Sequence, residues 1–463
     1  MKEKRRIDRM KHINVLQGGF FILILLTIPP FLKNDIIHSQ SKISSNFSLE
    51  TRKERSMLYG LSFFPLGIYG VRNSTEIWES WKHRFNTVIF GFAEPEDFEE
   101  LNIEDMLFTC DVLGMKVLFE TSHFLRENAM DDLVDLVQSV ADHPSIYAWY
   151  IVDEPGLGVN GTLIDESMIR NAVETIHKID DRPTFVQFSL EAINESLWAN
   201  SFAAVPDFVD IISVDPYPNM PYVNHSLVSD WVETILQYNA GRAKVCAVLT
   251  AQDFSQSQGE SGFDIPTEPE YMMDVVLALQ RGVEGLHWFA FGQIESLNFG
   301  AHAFPASWDA LGRVIRRISQ VALILVGREN EMDVFPLAEK LEASCAKRGN
   351  QTVLFLANHD YYWNGTETEW VLHNHTITLE ASNVVSVSLI EPSGSKPLDF
   401  QLLGSTLSFN VTVNGGVLIL IETPDLVSFL EFQDPLTLIL SSLILIIVFN
   451  YVRICKKRYL VFP

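Results

Sequence analysis

Cysteine is scarce in this chain: there are four in 463 residues, and no Cys-x-x-Cys pair. That excludes a disulfide-built fold and a thiolate zinc site. Cys110 falls in a helix-like stretch and Cys246 in a strand-like one, so both read as small core residues. Basic residues are also short. Lys and Arg number 34 against 59 Asp and Glu, for a net charge of −25. Nucleic-acid binding needs basic patches, and the basic clusters here sit at the two termini, so no nucleic-acid partner is expected. No Gly-x-Gly-x-x-Gly follows the first strand-like run, which argues against a doubly wound sheet, the alternative α/β architecture. The chain has no tandem repeat of fixed period and no low-complexity tract. No zinc-ligand spacing is present, and the expectation is neither a metal nor a cofactor.

Long apolar runs are confined to the ends. Lys2, Lys4, Arg5, Arg6, Arg9 and Lys11 precede the run Gly18–Leu32, which Pro29-Pro30 breaks. This reads as a signal peptide or an uncleaved signal anchor over residues 1–32. Leu436–Val452 is apolar apart from two serines, a threonine and Asn450, and Arg453, Lys456, Lys457 and Arg458 follow it. A span needs about 20 residues, and as few as roughly 17 suffice. A transmembrane helix over 434–453 with a cytoplasmic tail over 454–463 is therefore expected. Basic flanks stay inside, which puts residues 40–430 outside the cell membrane, or in the lumen of a eukaryotic host. Nine Asn-x-Ser/Thr triplets fall there, at Asn46, Asn73, Asn160, Asn194, Asn224, Asn350, Asn364, Asn374 and Asn410. They point to a glycosylated outer surface.

Between the ends, residues 33–59 are polar and read as a linker. Strand-like runs then recur at 64–69, 86–92, 116–121, 146–152, 184–189, 209–214, 244–250 and 285–291. Helix-period stretches separate them, as in Met130–Ala141, where Leu133, Val134, Leu136, Val137 and Val140 share one face. Eight βα units predict an α/β (β/α)8 barrel over 60–327, closed by a helix over Trp308–Val326. From 328 to 424 short alternating runs and turn residues predict a small antiparallel β-sandwich.

The run Ile146–Val152 ends in Asp153, Glu154 and Pro155. Barrels of this kind keep their chemistry at the carboxyl ends of the strands. Those positions hold Tyr69, Glu94, Glu120, His123, Asp153, Glu154, Gln187, Asp215, Tyr217, Asn219, Gln252, Asp253, Trp288, Gln293 and Glu295. Carboxylates and amides bond sugar hydroxyls, and aromatic faces stack on sugar rings. This convergence makes a carbohydrate the expected substrate, with the membrane as the other partner.

The stretch Trp149-Tyr-Ile-Val-Asp153-Glu154-Pro155 resembles the fourth strand of (β/α)8 glycoside hydrolases of the large clan that includes β-galactosidases and endoglucanases. That clan ends this strand in Asn-Glu-Pro, so Asp153 stands where it has Asn. His143-Pro144 and Val214-Asp215-Pro216-Tyr217-Pro218 fit glycosidase-like barrels of the Asp-Glu-Pro type. The resemblance covers residues 60–325 and implies that Glu154 is the general acid/base. It also implies a nucleophilic Glu after the seventh strand, where this chain has Gln252 and Asp253. Asp215, Asp253 and Glu120 are the candidates for the second carboxylate, and Asp215 is preferred because a rigid Pro-Tyr-Pro follows it. Glu154 and Asp215 are thus expected to be catalytic. Asp153, Glu120, Tyr217, Gln252, Asp253 and Trp288 are expected to bind substrate. The carboxyl groups should lie about 5–5.5 Å apart for retention or about 6.5–9.5 Å for inversion. The expected function is a surface-anchored glycoside hydrolase acting on external or cell-wall glycans. The alternatives are a carbohydrate-binding pseudoenzyme and a structural or adhesion glycoprotein.

Overall fold

Short apolar runs rich in Val, Ile and Phe become strands buried on both faces. In the computed structural model they are β1 (Leu66–Tyr69), β2 (Thr87–Phe90), β3 (Lys116–Glu120), β4 (Ile146–Asp153), β5 (Thr184–Phe188), β6 (Ile211–Val214), β7 (Lys244–Thr250) and β8 (Leu286–Phe289). They pair in parallel in sequence order, and β8 returns to β1 to close the barrel. The structure describes residues 63–90, 102–155, 164–189, 202–218, 224–253, 265–294, 297–298, 300–363 and 368–424. The terminal segments read as membrane-directed lie outside these residues, as do Glu94, Asn219 and Glu295. Among the described residues no helix is long and apolar enough to cross a membrane.

The helices around the barrel are α1 (Ser74–Lys82), α2 (Ile103–Leu113), α3 (Ser122–Arg126), α4 (Met130–Val140), α5 (Glu166–His177), α6 (Ser226–Asn239), α7 (Glu268–Gln280) and α8 (Pro305–Val326). Their ends follow capping chemistry. Asn73 Oδ1 accepts from the N–H groups of Thr75 and Glu76 at the start of α1 (both 3.0 Å). Gly114 ends α2 in the left-handed conformation, φ 68°.

Two hydrophobic layers result. Outward-facing strand residues such as Ile68, Trp149 and Ile212 pack under the helices. Inward-facing ones, among them Ile89, Leu118, Ala148, Tyr150, Phe185 and Val248, fill the barrel. Gly67 makes room inside: a Cβ there would lie 2.6 Å from the His287 ring and 2.7 Å from Ile89 Cδ1. His287 is fully buried, and burial holds its imidazole down to about 3, so it is neutral.

Past the barrel, two short strands form a hairpin, β9 (Gln293–Ile294) and β10 (Leu297–Asn298). The remaining strands are β11 (Phe335–Ala338), β12 (Leu341–Arg348), β13 (Gln351–Asn358), β14 (Tyr361–Trp363), β15 (Thr368–Trp370), β16 (His373–Glu380), β17 (Ser386–Glu391), β18 (Gly394–Pro397), β19 (Phe400–Leu403), β20 (Thr406–Val413) and β21 (Gly416–Glu422). One antiparallel sheet runs β11-β12-β13-β21-β17-β18 and another β16-β20-β19. Leu354, Leu356 and Ile419 of the first share a core with Ile377, Phe409 and Val411 of the second.

These sheets and the barrel belong to one compact unit beginning at Leu61. Val353, Phe355, Ala357, Ile390 and Leu418 join the same core as the barrel helices. Helix α7 is buried on every side from Glu270 to Gln280. Two consecutive glycines let the chain entering β21 press onto it. A Cβ on Gly415 would meet Pro269 O at 2.2 Å, and one on Gly416 would meet Met272 O at 2.1 Å. Polar ties reinforce the join. Thr368 Oγ1 donates to Glu270 Oε1 (2.6 Å), Gln280 Nε2 donates to Phe355 O (3.2 Å), and His225 N–H donates to Tyr361 Oη (3.0 Å).

Candidate active site

The carboxyl ends of the barrel strands hold the polar groups, as strand alternation requires. Glu120 ends β3 and is buried, with Ser122 Oγ donating to its Oε1. Asp153 ends β4, and Tyr150 OH donates to its Oδ1 (2.6 Å). Glu154 follows at φ 49°, a left-handed backbone that costs a residue with a Cβ about 1–2 kcal/mol. The fold holds it there: Glu154 N–H donates to Gln187 O (3.1 Å), and buried Pro155 follows. Strain of this kind concentrates at functional sites. Asp153 and Glu154 are both half-buried.

Asp215 lies one residue past β6 and is 3% exposed. Its carboxyl lies close enough to that of Glu154 for the two to interact. Gln187 Nε2 donates to Asp215 Oδ2 (3.4 Å), and Tyr69 OH donates to Gln187 Oε1 (2.6 Å). A chain Tyr69–Gln187–Asp215–Glu154 therefore crosses the mouth of the barrel. Burial first, then the charge of Glu154 and its hydrogen bond, push the Asp215 carboxyl well above the ordinary range. Two neighbouring carboxylates cannot both ionise cheaply, so the pair holds a proton. Asp153 is raised too, by burial, against the opposing Tyr150 hydrogen bond and the Arg126 charge. Burial and the surrounding acids lift Tyr69, Tyr150 and Tyr217 as well, which keeps all three hydroxyls protonated.

Asp215 and Glu154 are near enough for the charge of one to act on the other. β4 and β6 flank β5, which sets Glu154 and Asp215 on either side of Gln187. Trp288 is a correction to the expected substrate-binding set. It is fully buried in the layer beneath the helices, with its ring 5.9 Å from that of Phe85. Successive strand residues point to opposite faces. With His287 and Phe289 turned inward on β8, Trp288 turns outward.

Phe289 stands at the mouth in its place. It is half-buried, 5.8 Å from the Tyr69 ring and 6.3 Å from that of half-buried Tyr217. The alternation along β8, read from its pairing partner β1, would have revealed it. Gln252 and Asp253 are buried just past β7, where Gln252 bridges Gly300. The cross-mouth chain runs through Gln187 rather than Gln252. Helix α3, too short for sequence periodicity to show, adds Arg126 and carries His123, already placed by its strand-end position. Arg126 Nη2 donates to Asp153 O (3.5 Å), and burial holds His123 down to about 4.

A stability prediction follows from Asp215. A carboxyl whose folded pKa is raised favours the fold only while protonated, and that contribution is lost as pH rises from about 4 through the folded value. Asp215→Asn is expected to have a higher Tm than the parent at pH 7, with the advantage vanishing near pH 3.5. Melting curves across pH 3.5–8 check this, and a Tm difference independent of pH would sink it.

No protein-family model matches the chain, and neither does any curated protein sequence. Solved structures do match. A GH30 endoxylanase from Clostridium papyrosolvens C71 superposes over 79% of this chain and 97% of its own, at 9% identity and a TM-score of 0.50. A glycoside hydrolase family 30 subfamily 8 xylanase from Clostridium acetobutylicum covers 78% and 96%, at 9% identity and 0.48. An α-amylase from Anoxybacillus covers 78% and 98%, at 8% identity and 0.47. At such identities the likeness is one of fold, a closed eight-stranded parallel barrel accompanied by antiparallel sheets.

Proposed function

We propose that this chain is a glycoside hydrolase in which Glu154 gives the proton and Asp215 is the second carboxyl group. The observation that carries this reading is the Glu154–Asp215 pair at the carboxyl ends of the strands, with Glu154 held in a strained backbone. A glycan entering the mouth would part the two groups. The glycosidic oxygen takes the shared proton from Glu154 as the C–O bond breaks. Asp215, then ionised, takes a proton from the water that attacks the anomeric carbon, which completes hydrolysis and returns the proton to the pair. Tyr217 and Phe289 offer aromatic faces to a sugar ring, and Asp153 and Glu120 accept from its hydroxyls. Four acids around one opening disfavour uronic acids, so the substrate is a neutral or cationic glycan. The fold likeness to a GH30 endoxylanase supports a polysaccharide substrate. The test is a soluble form spanning residues 50–425, screened on a glycan panel with and without Glu154→Gln.

A second reading has its own observation. Gln252 follows β7 where the resemblance places a carboxylate nucleophile. A site of that kind can hold sugar without cutting it. Binding with no turnover of any glycan would select this reading.

The basic flanks and the sequons support a membrane-anchored protein whose residues 40–430 face the outside or the lumen. Protease added to intact cells should then remove that region. Full protection in intact cells, together with digestion in sealed internal vesicles, rejects the topology.

A further inference from the structure

The outer face of the sheet β16-β20-β19 brings two sequons together. In the antiparallel pair β16–β20, Asn374 lies opposite Thr412 and Thr376 opposite Asn410. The triplets Asn374-His-Thr376 and Asn410-Val-Thr412 are thus interleaved across two strands. Residues opposite one another share a face, and all four are exposed. Their neighbours Ile377, Val411 and Val413 point the other way into the core. Thr376 Oγ1 donates to Asn410 Oδ1 (2.8 Å), which uses the amide oxygen and not the nitrogen that takes a glycan. Asn350, another sequon asparagine, is placed differently: it is half-buried and its Nδ2 donates to Thr423 O (3.2 Å).

We propose that, once in the lumen of a secretory compartment, Asn374 and Asn410 are both N-glycosylated and form one glycan-covered sheet face. In each transfer a bond forms between Asn Nδ2 and the anomeric carbon of a lipid-linked oligosaccharide. The bond from that carbon to the lipid pyrophosphate breaks, and the amide proton leaves with the pyrophosphate. The placement also has a use. β16 is an edge strand eight residues long, and open edges of that length invite pairing with other chains. Bulky hydrophilic groups on its face and on the next strand oppose a second sheet approaching it.

The inference rests on the luminal topology proposed above, so the test separates the two. The full chain is expressed in a eukaryotic secretory host twice, with its own N-terminal segment and with a heterologous cleavable signal in front of it. Peptide-N-glycosidase in ¹⁸O water converts each glycosylated Asn to labelled Asp, which mass spectrometry locates. Labelled Asp at both 374 and 410 in the signal-led chain supports the proposal, whatever the native-led chain shows. An unmodified Asn at either position there overturns it. A native-led chain that alone stays unmodified counts against the topology only. As a second readout, Thr412→Val should lose the glycan at Asn410 and Thr412→Ser should keep it. Retention in the Thr412→Val variant also overturns the assignment.

Discussion

Glu154→Gln is expected to lower glycan hydrolysis about 10²–10⁴-fold, the usual worth of a positioned general acid. The amide has the shape of the acid and keeps the donor N–H on the backbone, so the bond to Gln187 O and the left-handed turn are unaffected. What it cannot do is hand a proton to the leaving oxygen. Substrate affinity should therefore change far less than kcat. The amide still bonds Asp215, which loses a negative neighbour, so the Asp215 carboxyl should move down toward its ordinary range. The acid limb of the residual pH–rate profile, which reports ionisation of Asp215, should shift down with it. Unchanged kcat/KM on the best substrate in the panel would remove Glu154 from the mechanism.

The second large effect is structural. A chain ending at residue 327 keeps every barrel strand yet is expected to be insoluble, whereas one ending at 424 should melt cooperatively. Truncation strips Val353, Phe355, Ile390 and Leu418 from the core they share with the barrel helices. Those four large side chains are worth about 6–12 kcal/mol at roughly 1.5–3 kcal/mol each. That rivals the whole stability of about 5–15 kcal/mol of a typical domain. It would also uncover the part of α7 against which β21 packs, including part of Val276. Soluble expression of both forms, followed by thermal melts, checks this. A cooperative transition in the shorter form would show the barrel to be self-sufficient.

Much of this architecture is legible in the sequence because the barrel strands are buried on both faces and so appear as unbroken apolar runs. Helix α2 is delimited chemically, with Asn102 at its start and left-handed Gly114 at its end. Other elements are hidden for identifiable reasons. β12 ends in Ala346-Lys347-Arg348, which interrupts its alternation, and β11 and β18 each contain Pro. Helix α3 is five residues long, below the length at which a 3.6-residue period can be seen. In the site, strand-end position was enough to single out Glu120, Asp153, Glu154 and Asp215. Facing was not legible for Trp288, because a short strand at a barrel seam gives no parity until its partner's register is known. The proximity of Glu154 and Asp215 depends on how β5 spaces β4 from β6, which no local pattern carries.

The position of β21 has a consequence in time. It is the last strand in chain order, yet it lies in the middle of its sheet, between β13 and β17, and against α7. Glu422 comes 142 residues after Gln280. At about 5–20 residues per second, a ribosome takes roughly 7–28 s to cover that stretch. Throughout that interval α7 has emerged without its cover, and the six-stranded sheet lacks its centre. Synthesis from the N-terminus thus leaves the barrel an unfinished, chaperone-sized surface for many seconds. Placing the same strand early in the chain would close that surface almost as soon as it formed.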